Sequence, residues 1–138
     1  MSPKNTIINK LRSSNLRPTR QRVTIAEYLF NREKTFHFTV EKLNKLINKK
    51  DNVEKISLAT IYNTIDAFKK AGHLKEILTN NNTSYFDTNI NSHHHFYDDE
   101  TNELIDINYN EIEVAKVPHA PKGKKIKDVE VIISLQKQ

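Results

Sequence analysis

Three adjacent histidines open the segment "HHHFYDDETNELIDI", residues 93–107, and acidic residues follow them. Imidazole and carboxylate together hold divalent cations, and this chain of 138 residues has no cysteine, so disulfides and thiolate zinc sites are excluded. Any resident metal must be held by nitrogen and oxygen, which makes the 6 histidines its main candidates. In an extended strand alternate side chains face opposite ways, so His93 and His95 share a face while His94 points from the other. One triplet can thus serve two sites. Two imidazoles at i and i+2 can converge on a cation, but a closed site takes about four ligands or more. Asp106 interrupts the apolar "ELIDI", Asp87 ends "SYFD", and His37 lies in "TFHFTVEKL"; these are the residues available to complete it. Each has a plainer reading: His93, His95 and Asp106 as solvated strand residues, Asp87 as a hinge residue, His37 as a loop or capping histidine. His73, beside Gly72, reads as part of the hairpin that follows.

The elements that position these groups fall into two halves of opposite charge. Residues 1–88 carry 16 Lys and Arg against 8 Asp and Glu, a balance of +8, whereas residues 89–138 carry 6 against 9, a balance of −3. A basic half suits a phosphate backbone, and an acidic half that bears histidines suits a cation; a solvated surface of mixed sign is the alternative. The length fits one ordinary domain or two small ones with a modest core, so a homodimer is expected. No apolar run approaches the roughly 20 residues that cross a bilayer, and "MSPKNTIINK" lacks the apolar segment of a signal peptide. The expectation is a cytoplasmic protein with no membrane attachment.

The basic half reads as three helices in tandem. Pro18 and Thr19 open the first, which runs to Phe30 with Val23, Ala26 and Leu29 apolar; Thr39 to about Asn48 is the second. Ser57 is a good N-cap for the third, "SLATIYNTIDAFKKAG", and Gly72 a good stop. At about 100° per residue Leu58, Ile61, Ile65 and Phe68 form one stripe that should pack inward, opposite Ala59, Thr60, Asn63 and Ala67. Small and amide-bearing residues on that outer face can enter a major groove and reach base edges; a solvated face is the alternative. Then "HLKEILTNNNTSYFD" reads as a hairpin with an Asn-rich turn. A helix pair, a recognition-like helix and a hairpin describe a winged helix-turn-helix. Lys10, Arg12, Arg17, Arg20 and Arg22 would contact phosphates, with Ser57, Thr60 and Asn63 at the groove.

From Thr88 to Asn91 a polar hinge leads to strands at His93–Tyr97, Glu103–Ile107 and a long one at Lys125–Leu135, with Val129, Val131, Ile133 and Leu135 on one face. A short helix is expected over Asn110–Lys116, and "VPHAPKGKK" is a basic loop. There is no internal repeat or coiled-coil heptad. The fold class expected is α+β: a winged helix-turn-helix domain over residues 1–88, then a small α/β dimerisation and sensing domain over 89–138.

These motifs resemble the ferric uptake regulator superfamily of bacterial metal-dependent repressors. "LRPTRQR", "SLATIYNTIDAFKKAGHL", "SYFD" and "HHHFYDDETNELIDI" occur in that family's order and spacing, over nearly the whole chain. The combination of "LRPTRQR", "ATIYNT", the histidine triplet, absent cysteines and "VEVIISLQ" is most similar to the iron response regulator branch of alphaproteobacteria. The resemblance implies a metal site at His37, Asp87, His93, His95 and Asp106, and a second at His94 and Glu113 with Asp128 as a third ligand. Ser92 stands where relatives often place another ligand of that second site. It implies a thymine contact for Tyr62, places Asn63 where many relatives have arginine, and offers His93, His94 and His95 as haem ligands. The CxxC pairs that carry structural zinc in many relatives are absent, since the equivalent stretch reads "FYDDETNE".

The function expected is therefore a non-enzymatic, sequence-specific transcriptional regulator of iron or haem homeostasis. A divalent metal (Fe, Mn or Zn) or haem, bound between the domains, would control it. Two winged domains in a dimer imply double-stranded DNA with a palindromic, A/T-containing operator. Two rivals come from other classes. Two histidines and a carboxylate can form the facial triad of a non-haem iron enzyme, and a basic surface can coat DNA without sequence preference.

Overall fold

The computed structural model describes residues 3–49, 51, 54–79 and 82–138. The chain divides into two compact units, Met1–Ile90 and Asn91–Gln138. The first contains α1 (Pro3–Ser13), α2 (Arg20–Phe30), β1 (His37–Phe38), α3 (Val40–Ile47), α4 (Leu58–Lys70), β2 (Lys75–Leu78) and β3 (Ser84–Asp87). The second contains β4 (His94–Asp98), β5 (Glu103–Ile107) and β6 (Ile132–Leu135). The fold is the expected α+β arrangement, a winged helix-turn-helix followed by a small sheet unit.

Side-chain caps set the helix starts of the first unit. The Oγ1 of Thr19 accepts the Arg22 N–H at 3.3 Å, the Oγ1 of Thr39 accepts that of Lys42 at 3.1 Å, and the Oγ of Ser57 accepts that of Thr60 at 3.1 Å. At the far end of α4, Gly72 takes φ +86°. The His73 N–H then reaches the Phe68 carbonyl at 2.9 Å and the Gly72 N–H reaches that of Lys69 at 3.0 Å, the paired bonds of a left-handed helix stop. Ile61, Ile65 and Phe68 pack into the core as expected, but Leu58 is 44% exposed. The inward stripe of α4 therefore begins at Ile61, one turn later than its sequence period suggests.

α1 is an addition to the helices read from the sequence. Ile7 and Leu11 lie four residues apart and are buried on one face, a stripe too short to stand out by periodicity. Asn15 ends this helix at φ 63° and returns the chain for α2. The loop from α3 to α4 is pinned by one side chain. Asn48 accepts the Ile56 N–H at 2.8 Å, donates to the Ile56 carbonyl at 2.9 Å and donates to Asn44 Oδ1 at 2.7 Å.

The wing is a three-stranded sheet ordered β1-β3-β2, with β1 adding an antiparallel strand where the sequence suggests only a connection. A stack of aromatic rings makes it adhere: Phe38 lies 5.5 Å from Phe36 and 5.8 Å from Phe86, centroid to centroid. The Asn-rich turn expected between β2 and β3 falls partly on residues 80 and 81, which lie outside those described.

In the second unit β4 is central, antiparallel to β5 and parallel to β6. β5 spans the expected residues. The long strand expected from Lys125 is instead the four residues of β6, and the helix expected over Asn110–Lys116 reduces to one 3-10 turn, Tyr109–Glu111. Both departures have one cause: Glu113–Lys116 and Lys124–Asp128 are exposed along their length, so neither a helical stripe nor a strand face would bury anything there. Asp128 instead turns its carboxylate onto the neighbouring Val129 N–H at 2.8 Å.

Two measurements test this packing. Replacing Asn48 by Ala removes three hydrogen bonds and leaves the Ile56 backbone without its side-chain partner, so thermal unfolding should report a loss of about 2 kcal/mol. His73 sits 2.7 Å from the Ser14 hydroxyl and edge-on to Phe30 and Phe68; burial, then the charge of Lys10, hold its pKa below the ordinary histidine value. The folded state thus binds a proton less readily than the unfolded chain, and the contribution of this residue is present above about pH 6.5 and lost as pH falls through the depressed folded value. Denaturant unfolding at pH 7.5 and 5 should show a smaller acid loss in His73→Gln than in the parent.

Candidate metal centre and nucleic-acid interface

Strand register assembles the chemistry of the second unit. β4 pairs with β5 so that His95 stands opposite Asp106. Residues directly opposite on antiparallel strands share a face, with Cβ atoms about 5 Å apart. His93, two residues before His95, projects to the same side. The outcome is a convergence on one atom: Asp106 Oδ1 lies 3.3 Å from His93 Nε2 and 3.2 Å from His95 Nε2. Ligand atoms of these three residues fall within 4.8 Å of one another. His93 and His95 are buried, while the Asp106 side chain is 39% exposed.

The opposite nitrogens of both rings are committed. His93 Nδ1 is 2.6 Å from the Asn91 carbonyl oxygen and His95 Nδ1 is 3.1 Å from Glu130 Oε1. A carbonyl or carboxylate oxygen only accepts, so a neutral ring that donates from Nδ1 to these acceptors has its Nε2 lone pair available to a cation, whereas a ring that donates from Nε2 to Asp106 does not. Lone pairs from two rings and a carboxylate facing one another are the donor set of a divalent cation, and the residues present fit one.

The first unit holds a second pair made in the same way. His37 on β1 is the register partner of Asp87 on β3, and His37 Nε2 lies 3.1 Å from Asp87 Oδ2. Asp87 is fully buried, and its Oδ1 accepts the Asn89 N–H at 2.8 Å. Thr88 extends the strand pairing, its Oγ1 accepting the Phe36 N–H at 2.9 Å and its own N–H reaching the Phe36 carbonyl at 3.1 Å. The backbone on either side of His37 is thereby held.

His94 takes the other face, as strand alternation requires, and its role differs. Its Nδ1 accepts the Val131 N–H at 2.9 Å and its ring stacks on Tyr109 with centroids 5.5 Å apart. The neutral ring therefore carries its proton on Nε2, so a cation there would have to displace either that proton or the Val131 bond. Glu113 and Asp128 are exposed, and the metal-capable group found among the described residues does not include them or His94. Residues that the sequence reading missed are Glu130 and the Asn91 carbonyl; the one signal was an acidic residue breaking the apolar run "VEVII".

The DNA-facing residues read from the sequence lie on the first unit. Ala59 and Asn63 are exposed on α4, and Thr60 is half-buried. Ser57 and Thr60 are bound to each other as the helix cap, with their hydroxyls 2.9 Å apart. Tyr62 is 47% exposed and its hydroxyl donates to the Glu41 carboxylate at 2.6 Å. That bond raises the Tyr62 pKa and lowers that of Glu41. Arg17 is exposed, Arg20 pairs with Glu54 at 3.3 Å across open surface, and Arg22 donates to the Arg17 carbonyl at 3.2 Å. Of the remaining basic residues, Lys10 rides over the Phe30 ring at 4.3 Å and Arg12 is exposed.

Comparison with known proteins gives a concordant result. The peroxide-responsive repressor PerR of Staphylococcus aureus is 33% identical over 109 residues, covering 77% of this chain and 71% of its own. Among solved structures, the ferric uptake regulator of Pseudomonas aeruginosa with manganese superposes with a TM-score of 0.70 at 24% identity over 99% of each chain. That of Vibrio cholerae superposes at 0.69 and 17% identity, over 94% of this chain and 98% of the other. At these identities the two structures speak for the fold. Residues 13–134 match the ferric uptake regulator family, and the chain belongs to that family.

Proposed function

We propose that this chain is a homodimeric, cytoplasmic, sequence-specific transcriptional regulator whose affinity for its operator is set by a divalent cation. The observation that carries this reading is the convergence of two imidazole Nε2 atoms on Asp106 Oδ1, with both rings fixed by their other nitrogen. His93, His95 and Asp106 would hold the ion together with His37 and Asp87, whose strand register makes the matching pair. The donor set is nitrogen and oxygen throughout, which suits Fe(II) or Mn(II) and also accepts Zn(II). When bound, the cation supplies the positive charge on which these donors converge. Two of the five ligands belong to the first unit and three to the second, so full ligation favours the arrangement in which all five reach one ion. The gain in operator affinity is bounded by the ion's preference for that arrangement.

The exposed face of α4 would read base edges in the major groove through Asn63 and Tyr62, while Arg17, Arg20 and Arg22 hold phosphates. Tyr62 reaches the groove with its hydroxyl braced by Glu41. The operator follows dimer symmetry, palindromic and containing A/T pairs. Iron or haem homeostasis as the regulated process rests on the motifs similar to the iron response regulators. For haem itself, His93, His94 and His95 are at most 6% exposed and each Nδ1 is engaged, so ligation would require β4 to open. A divalent cation is the better fit. A second reading follows from the relative named a peroxide-responsive repressor: the same centre, loaded with iron, would respond to peroxide. Family membership favours regulation over the metalloenzyme alternative.

The test begins with duplexes selected from a random pool by metal-stripped protein supplied with Mn(II). Fluorescence anisotropy at fixed salt, with Mn(II), Fe(II), Zn(II) or haem, should show tighter binding to the selected sequence with a divalent ion, and His93→Ala and Asp106→Ala should lose that gain. Equal affinity for selected and random DNA under every condition would establish a coating protein instead. Release by haem of a complex formed without metal would transfer the sensor role to haem, and peroxide-driven release from the Fe(II) form alone would support the second reading. On the DNA side, Arg20→Ala should weaken binding to all sequences and reduce the salt slope by about 1, whereas Asn63→Ala should relax sequence preference and leave that slope unchanged.

A further inference from the structure

We propose that Glu130 is the positioning residue of this metal centre: its carboxylate holds the His95 Nδ1 proton and so keeps the Nε2 lone pair aimed at the cation position. The proposal rests on reading His93, His95 and Asp106 as metal ligands, and it adds a residue outside that set. His95 is fully buried and lies between two carboxylates, Asp106 Oδ1 at 3.2 Å from Nε2 and Glu130 Oε1 at 3.1 Å from Nδ1. A neutral imidazole has one N–H to give. If Asp106 takes it, the proton sits on Nε2 and the ring has no lone pair for a metal; if Glu130 takes it, the ring is a ligand. Glu130 therefore decides which of two tautomers the buried ring adopts.

The backbone beside Glu130 is anchored to make that contact dependable. The next residue, Val131, donates its N–H to His94 Nδ1 at 2.9 Å and accepts the His95 N–H on its carbonyl at 3.1 Å. His94 and His95 thus clasp the two backbone groups of Val131 immediately before β6 begins. The Glu130 side chain is 21% exposed, enough shielding for a charge-assisted hydrogen bond to retain its strength. His93 is oriented differently, by the neutral Asn91 carbonyl. A carboxylate acceptor raises the basicity of the ring it holds, so His95 becomes the stronger donor of the pair, and losing such a partner costs about ten- to a hundredfold in metal affinity.

The experiment uses the full-length, metal-stripped protein, with Mn(II) as the probe, and the parent, Glu130→Gln, Glu130→Ala and Asp106→Ala. Calorimetry or electron spin resonance reads Mn(II) affinity, and long-range nitrogen–proton NMR reads the His95 tautomer without metal. The expectation is about ten- to a hundredfold weaker Mn(II) binding in Glu130→Ala, a smaller loss in Glu130→Gln, whose amide oxygen still accepts the Nδ1 proton, and a move of the His95 proton to Nε2 in the alanine variant alone. Parent-like affinity with an unmoved proton in Glu130→Ala would overturn the proposal. If the alanine variant fails to fold, the parent spectrum decides, because an Nε2–H tautomer there overturns it equally and an Nδ1–H tautomer kept in Glu130→Gln upholds it. Failure of the metal reading is separate: it appears as Mn(II) affinity unchanged by Asp106→Ala, whatever the tautomer.

Discussion

Two imidazole nitrogens brought to one carboxylate oxygen need a positive centre among them, either protons on the rings or a cation. That constraint governs the second unit. His93 and His95 present Nε2 to Asp106 with ring centroids 4.4 Å apart, and the other nitrogen of each ring is taken by an acceptor. A proton on either Nε2 is given to Asp106 and removes that nitrogen from the donor set, whereas one divalent cation meets all three donors at once. The sheet serves this geometry. β4 is central because it needs β5 on one side to supply Asp106 and the approach to β6 on the other to supply Glu130.

The first unit solves a related problem with the same device. His37 and Asp87 are register partners on β1 and β3, as His95 and Asp106 are on β4 and β5. A pair built by strand register is fixed by backbone hydrogen bonds rather than by side-chain packing alone, the stiffness a selective site would need. The aromatic stack of Phe36, Phe38 and Phe86 then keeps a two-residue strand in place that would be marginal by itself.

Much of this was legible in the residues because the signals are local. Ser57 and Gly72 bound α4, alternation separated His94 from its neighbours, and "ELIDI" marked β5 with Asp106 in it. What escaped depends on distant partners. α1 has only Ile7 and Leu11 to announce it, β1 exists because β3 pairs with it, and Leu58 keeps the helical period yet lies outside the core. The long final strand read from alternating valines is short because no neighbouring strand meets its first half. Glu130 announced itself only as an acidic residue in an apolar run, and its role escaped for the same reason, since its partner His95 lies 35 residues earlier in the chain. The candidate ligand set was visible as residue types; the acceptors on the far nitrogens of its rings, which bear on their tautomers, were not.

The parallel pairing of β4 with β6 carries a consequence for synthesis. Antiparallel neighbours such as β4 and β5 join through a short turn and can form as soon as both have left the ribosome, but a parallel partner must be delivered by a long excursion whose closure costs entropy before any contact repays it. Glu130 and Val131 arrive at the end of that excursion, after the winged-helix unit and the β4–β5 hairpin have emerged. The nascent chain thus forms its winged-helix unit and the β4–β5 hairpin before the group that steadies His95 has emerged, so the His95 ring gains its second carboxylate neighbour only when the parallel strand docks.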